Sequence, residues 1–404
     1  MKTYHVILAL AVPLMFPFVS YAETFCVSDA AGLQNALTKA ASNGEDDTVQ
    51  IERGTYLGSF IYASTEAYNL TIEGGYSSGC ESRNIDPTNT ELDANGTGSV
   101  LVFSTPDTEA NLQVDGVTLQ NGDPGNKSGG GLYGNTIGDV IISNNVIIGN
   151  SAWSGGGGVF LSSLNSITFT NNTITGNTIE FGRGGGVSAF SSTGLITFTN
   201  NTIEGNIAGM GGGNYGHSGG VFLSSPNSIT FTNNTVTENK ADYDGGGIYV
   251  SSSEGSITFT NNTVTGNKVV YDSGGGVYVD AFNTITFTDN TIERNIANED
   301  CGGACVRSST GSITFSNNIV KENIADANGG GGGGCGGACV SSKGSITFTR
   351  NTIEGNTADL GGGVKVGSSE GSITFTNNTV TRNTGGYIGG VAASPISIGV
   401  LNST

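Results

Sequence analysis

Positive charge is scarce in this chain. Its 404 residues hold 15 Lys and Arg against 34 Asp and Glu, a formal net charge of -19, and only 12% of residues are charged. A nucleic-acid partner needs a basic footprint that such a surface does not offer. Acidity of this kind suits an exported protein that must stay soluble, with divalent cations nearby. Long apolar runs are as scarce. The main one, residues 6–19, lies between Lys2 and the small-x-small sequence Ser20-Tyr21-Ala22, so residues 1–22 read as a secretory signal peptide. That run is too short for a spanning helix and no other segment is apolar enough, so no transmembrane anchor is expected in the mature chain. His5 falls in the leader, which makes His217 the single histidine of the mature protein. In a glycine-rich stretch it reads as incidental. No motif calls for a cofactor.

What the chain has instead is repetition. The stretch Ser256-Ile257-Thr258-Phe259-Thr260-Asn261-Asn262-Thr263-Val264-Thr265-Gly266-Asn267 is written eight times with small changes. Its phenylalanine recurs as Phe169, Phe198, Phe231, Phe259, Phe287, Phe315, Phe348 and Phe375, at spacings of 29, 33, 28, 28, 28, 33 and 27 residues. A period of this size indicates stacked repeats rather than one globular core. Ile stands two residues before each Phe. Asn stands three after it (Asn172, Asn201, Asn234, Asn262, Asn290, Asn318, Asn351 and Asn378) and again eight after it (Asn177 through Asn383). The position two after Phe holds Asp289 or Arg350 in some copies and must face water.

Ile-Thr-Phe-Thr alternates apolar and polar residues, the pattern of a half-buried strand. A Thr-Val-Thr strand follows the Asn pair, and a Gly-Val-Tyr-Val strand follows each glycine cluster. Three strands per repeat, joined by turns, give an all-β parallel β-helix of ten or more coils. Stacking at about 4.8 Å sets Phe on Phe and Asn on Asn. An Asn column can bond through its amides to the coils above and below, and Asn tolerates left-handed turns, so these columns read as structural. The 67 glycines belong to one column of turns.

Taken in order, residues 23–105 form an N-terminal cap and first coils, residues 106–391 the repeats, and residues 392–404 a tail. Residues 30–41 place Leu33, Ala36, Leu37 and Ala40 on one face, with Ser28 as N-cap and Gly44 as stop. This helix is expected to cover the open end of the stack, which would otherwise pair with other chains. Residues 112–114 and 140–142 begin imperfect early copies. Six cysteines in an exported chain point to disulfides. Cys26 and Cys80 are expected to pair. Cys301-Gly302-Gly303-Ala304-Cys305 and Cys335-Gly336-Gly337-Ala338-Cys339 occupy equivalent places in adjacent coils. An extended segment would hold its two cysteines about 13 Å apart, so pairing between coils is expected, Cys301 with Cys335 and Cys305 with Cys339. A four-cysteine zinc site matches the spacing less well.

Two longer copies carry insertions at the glycine cluster, residues 210–218 with Tyr215 and His217, and residues 329–334. Acidic residues gather just before these clusters: Asp242, Asp244, Asp272, Glu299, Asp300, Asp326 and Asp359. Stacking would line them into a ridge able to bind Ca2+ or a glycan, with Lys240, Lys268 and Arg183 nearby. A ridge with one acid per coil is unlike an active site, which would break the repeat at one place. No catalytic residue is assigned. The threonines flanking each Phe, from Thr168 to Thr374 before it and Thr or Ser316 after it, point outward as a two-column array.

Gly-Gly-Gly-Val followed by Phe-x-x-Asn on this scale resembles the repeats of polymorphic outer membrane proteins, and more broadly the bacterial right-handed parallel β-helix proteins of the pectin-lyase-like superfamily. The resemblance covers roughly residues 100–391. It implies a right-handed coil and a secreted or cell-surface location, at a bacterial outer membrane or beyond. Unlike the autotransported members, this chain shows no C-terminal barrel. The function expected is that of a non-catalytic, adhesin-like protein binding glycans or cell surfaces through its polar ladders. The fold also carries polysaccharide lyases and hydrolases, an alternative here. The threonine array is similar to the face of β-helical antifreeze proteins, which gives a third reading, ice binding.

Overall fold

Alternating Ile-Thr-Phe-Thr residues can bury one edge only, and the chain does so by stacking. The computed structural model describes residues 22–209, 216–326, 334–394 and 398–403. Residues 1–21 of the expected signal peptide, Met210 to Tyr215 of the first insertion and most of the second glycine run lie outside the described residues.

One coil shows the plan. Ile257–Thr260 forms the first face and Thr263–Thr265 the second. Lys268–Val269 forms a short strand at the next corner, and Val277–Ala281 forms the third face. The short strand was not expected from the sequence. Strands of the first two faces join into one continuous parallel sheet, because Ile373–Thr381 runs unbroken around their corner. The third face is a 12-stranded sheet from Phe60–Ala63 to Val391–Ser394, and the short strands make a 9-stranded one. Every pairing between consecutive coils of the repeat is parallel and in register, Phe231 on Phe259 on Phe287 and Asn-bearing corners likewise. The early copies join the same columns, with Val114 on Ile142 on Phe169.

The column phenylalanines are sealed from solvent. Their rings stack at centroid distances of 4.5 to 5.1 Å. Each contributes about 2–3 kcal/mol by burial. Two Asn columns run through the corners, buried in every coil but for the partly exposed Asn383 at the end of the second. Asn262 is representative: its Oδ1 accepts from the backbone N–H and the Nδ2 of Asn234, and its Nδ2 donates to Phe231 O and Asn290 Oδ1. The left-handed conformation falls one residue earlier than the sequence reading had it, at the exposed Asn171, Asn200, Asn233 and Asn261, and at Asp289 and Arg350. Those corners need a polar residue that tolerates positive φ, and the buried Asn supplies only hydrogen bonds. At the glycine corner neighbouring coils touch: a Cβ on Gly275 would lie 2.4 Å from Gly302 O.

The helix Ala30–Ala40 buries Leu33, Ala36, Leu37 and Ala40. Asp29, not Ser28, caps it, accepting from Gly32 N. Gly44 lies beyond its end in a left-handed turn. The segment expected as a tail also departs from expectation: Val391–Ser394 and Ile398–Ser403 pair in parallel with Val364–Ser368 and Ile373–Thr381.

The cysteines divide unexpectedly. Cys26 is joined to Cys80, with Cα atoms 5.9 Å apart. Cys335 is joined to Cys339 within one coil, and Cys301 and Cys305 are buried free thiols. The inter-coil pairs Cys301–Cys335 and Cys305–Cys339 do not form. The physical reason is that the segment is not extended. Its strand starts only at Ala338, and the Gly-Gly corner folds Cys335 back to a Cα separation of 5.8 Å from Cys339.

Candidate functional site

The third face differs from the first in what it shows to water. On the first face the outward columns of the eight repeats are threonine except at Ser316, half-exposed and in register, Thr230 on Thr258 on Thr286 and Thr232 on Thr260 on Thr288. On the third face the second residue of each strand is often aromatic: Tyr133, Phe160 and Tyr249 are partly exposed, whereas Phe222 and Tyr278 are buried. Ser188 interrupts this column, and Phe190 from the neighbouring column leans across the gap. The result is six rings in unbroken contact from Tyr133 to Tyr278, at centroid distances of 4.8 to 5.9 Å.

The corner leading into this face carries a second set. Trp153 packs on Phe181 at 4.5 Å. Beyond it, His217, Tyr243 and Tyr271 follow one another at 5.6 and 5.7 Å. Trp153 is 39% exposed and Tyr271 42%, so ring surface is open to a ligand. His217 stands in this corner column, beside Asp244 with Nδ1 3.6 Å from a carboxylate oxygen.

Two of the few cations of this acidic chain rest on the aromatic column. The Arg183 guanidinium lies 4.8 Å from the Phe222 ring centre, and that of Arg307 lies 5.4 Å from the Tyr278 ring. Arg307 also donates to Tyr278 Oη at 2.9 Å. Past Tyr278 the same column continues as the buried Cys305, then Cys339 and Lys365, which line a cavity with Asp300 and Arg307. Burial pushes the Tyr249 and Tyr278 phenols up, so both stay neutral donors at ordinary pH.

The acidic residues expected in one ridge are split. From the register of the short strands, Asp242, Asp326 and Asp359 each stand two residues beyond the paired positions Lys240, Ile324 and Thr357. Asp242 is buried, which pushes its carboxyl up, whereas Asp326 and Asp359 are exposed. Asp244, Asp272 and Asp300 gather instead at the margin of the aromatic face, half-buried, with the exposed Glu299 beside Asp272. Burial and the neighbouring Asp244 carboxylate push Asp272 up. Burial does the same to Asp300, and to Asp280 on the face itself. Lys240 and Lys268 point away on the exposed side of the short strands. The buried Asn columns have every polar atom engaged and offer nothing to a ligand. Cys301, Cys335 and Cys339 place their sulfurs within 4.8 Å of one another. With Cys335 and Cys339 joined, two of these are not thiolates and the group holds no metal in this state.

Sequence reasoning missed the aromatic column, Arg307 and Asp280. The signal was present: in five copies the residue after the first branched position of the third strand is Tyr or Phe, where an ordinary outward position would be Ser or Thr.

A family model described as the right-handed beta helix region matches residues 102–292 and 214–353, together more than half of the chain. Among solved structures, the periplasmic alginate epimerase AlgG is similar over 96% of this chain and 85% of its own, with TM-score 0.50 and 13% identity. The Dettilon tailspike protein is similar over 90% of this chain and 65% of its own, with TM-score 0.36 and 14% identity. The surface adhesin PfbA of Streptococcus pneumoniae is similar over 90% and 88%, with TM-score 0.32 and 13% identity. At 13% identity the likeness to AlgG is one of fold alone. No curated protein matches in sequence. Among the described residues no helix is long and apolar enough to cross a membrane.

Proposed function

The chain belongs to the right-handed β-helix family, and from that premise we propose that it is a non-catalytic binding protein of the cell surface or extracellular space, which holds an extended polysaccharide along its third face. The observation that carries this reading is the run of six contacting rings from Tyr133 to Tyr278, in which Tyr133, Phe160, Phe190 and Tyr249 are partly exposed over the buried Phe222 and Tyr278, flanked by the exposed Trp153 and Tyr271. A polysaccharide alternates apolar C–H surface with hydroxyls. The rings offer the first a matching strip, and the Tyr249 hydroxyl, Arg183, Arg307, Asp244 and Asp280 offer the second hydrogen-bond partners at the margins. A straight column on a rigid solenoid suits a long linear ligand, because nothing need be ordered on binding. Acids repeated coil after coil support holding a chain over cutting it at one point.

The test is a glycan-array screen of the purified protein, with the same glycans assayed for cleavage. Binding without cleavage is expected, and Tyr249→Ala is expected to weaken it roughly tenfold, the scale of one ring contact. Cleavage of a bound glycan, or binding to none, contradicts the reading. A second reading rests on the first face, where threonines, with one serine at Ser316, stand in register in two columns over eight coils. Thermal hysteresis in ice-growth measurements, lost in Thr258→Tyr, would favour ice binding at that face.

A further inference from the structure

The loop between the capping helix and the second strand, residues 41–46, closes over an unusual set of oxygens. Glu23, Glu45 and Asp47 each bring a carboxylate oxygen to within 4.8 Å of the others. Asp47 is 3% exposed, and its Oδ2 is buried without a hydrogen-bond partner. The amide of Asn43 points its nitrogen into the middle, 2.9 Å from Asp47 Oδ1, 3.4 Å from Glu23 Oε2 and 3.5 Å from Glu45 Oε1. Two amide hydrogens cannot serve three carboxylates, and the Asn43 Oδ1 is left buried without a partner as well.

Both orphaned oxygens have one common remedy. Turning the Asn43 amide over exchanges its nitrogen and oxygen at no covalent cost. Asn43 Oδ1 then joins the three carboxylates, the Lys39 ammonium still reaches Glu23, and a cation is the group that satisfies the remaining oxygens. Three carboxylates against the Lys39 ammonium, which contacts Glu23, leave a net negative site that suits a divalent ion. Oxygens up to 4.8 Å apart fit opposite ligands of calcium, whose bonds are about 2.3–2.6 Å long, and magnesium demands a tighter octahedron.

We propose that Glu23, Asn43, Glu45 and Asp47 form a calcium site that ties the first strand, the helix-to-strand loop and the second strand of the cap together. It is separate from the acids beside the aromatic face, and it does not depend on what that face binds. Asp47 supplies the buried ligand, Glu45 and Glu23 close the site from the solvent side, and water completes the coordination.

The experiment is equilibrium dialysis of the purified, chelator-treated full chain against radioactive calcium, with melting followed by circular dichroism. One tightly bound calcium per chain and a rise in melting temperature on adding calcium are expected. Glu45→Gln, a change at the solvent-facing side that leaves the cap folded, is expected to weaken that calcium by at least about tenfold, as loss of one charged ligand does. Asp47→Asn should abolish it, and Asp244→Asn with Asp272→Asn should leave it unchanged. No bound calcium, or calcium held equally by wild type and Glu45→Gln, overturns the assignment.

Discussion

Asn262 shows how a single side chain can be indispensable without touching a ligand. Its amide joins three coils, accepting from Asn234 and donating to Phe231 and Asn290. Asn262→Ala leaves the buried Asn234 N–H without its acceptor and removes one bond each from Asn234 Nδ2, the Phe231 carbonyl and Asn290 Oδ1. Of these, Asn234 Nδ2 keeps Phe198 O as a partner and Asn290 Oδ1 keeps the backbone N–H of residue 262. An unsatisfied buried group costs about 1–3 kcal/mol and each further bond lost about 1 kcal/mol, so a loss of roughly 2–5 kcal/mol is expected. Thr260→Ala, on the half-exposed side of the same strand, is expected to stay within about 0.5 kcal/mol. Denaturant midpoints of the two variants check the contrast. At this scale the sequence was legible, because a residue repeated at fixed distance from Phe announces a column. What recurrence could not show was which Asn of each pair is buried and which turns left-handed, since both are Asn in most copies. Asp289 and Arg350 betray the exposed member, as their charges could not be buried.

At the scale of elements, the corner between the short strands and the third face is where sequence reading failed. Its copies differ in length, so neither the two acid columns nor the fold-back of Cys335 onto Cys339 could be counted out along the chain. The structure makes that corner electrostatically costly. Asp272 is half-buried and faces Asp244, and its carboxyl is pushed up from the ordinary 3.8. An acid whose folded value is raised contributes stability that is fully present below the unfolded value and is lost as pH rises through the folded one. At neutral pH the wild type has therefore lost this contribution. Asp272→Asn is expected to melt higher than wild type at pH near 7, with the gap closing as the pH falls toward the ordinary carboxylate range. A gap that widened on acidification would contradict the assigned direction. The third strand itself was seen, but its ring column was not, because the repeat was read from its buried Phe and Asn columns.

The whole molecule is a stack in which each coil answers only to its neighbours. That is why a period of about 28 residues revealed the architecture, and why function, which sits on departures from the period, stayed hidden. Arg183, Arg307 and Trp153 occur once each, and no repetition marks them. They come together because successive coils place the third face and its corner on one side of the solenoid. The same geometry supplies a direct probe, since Trp153 is the single tryptophan of the chain and is 39% exposed on that side. The measurement that tests the central claim most directly is a titration of its fluorescence with the polysaccharide selected by the glycan array, with iodide quenching before and after. A ligand lying along the aromatic face should change the emission saturably and shield Trp153 from iodide. Binding that is saturable by an independent measure, yet leaves emission and quenching unchanged, would place the ligand elsewhere and contradict the account.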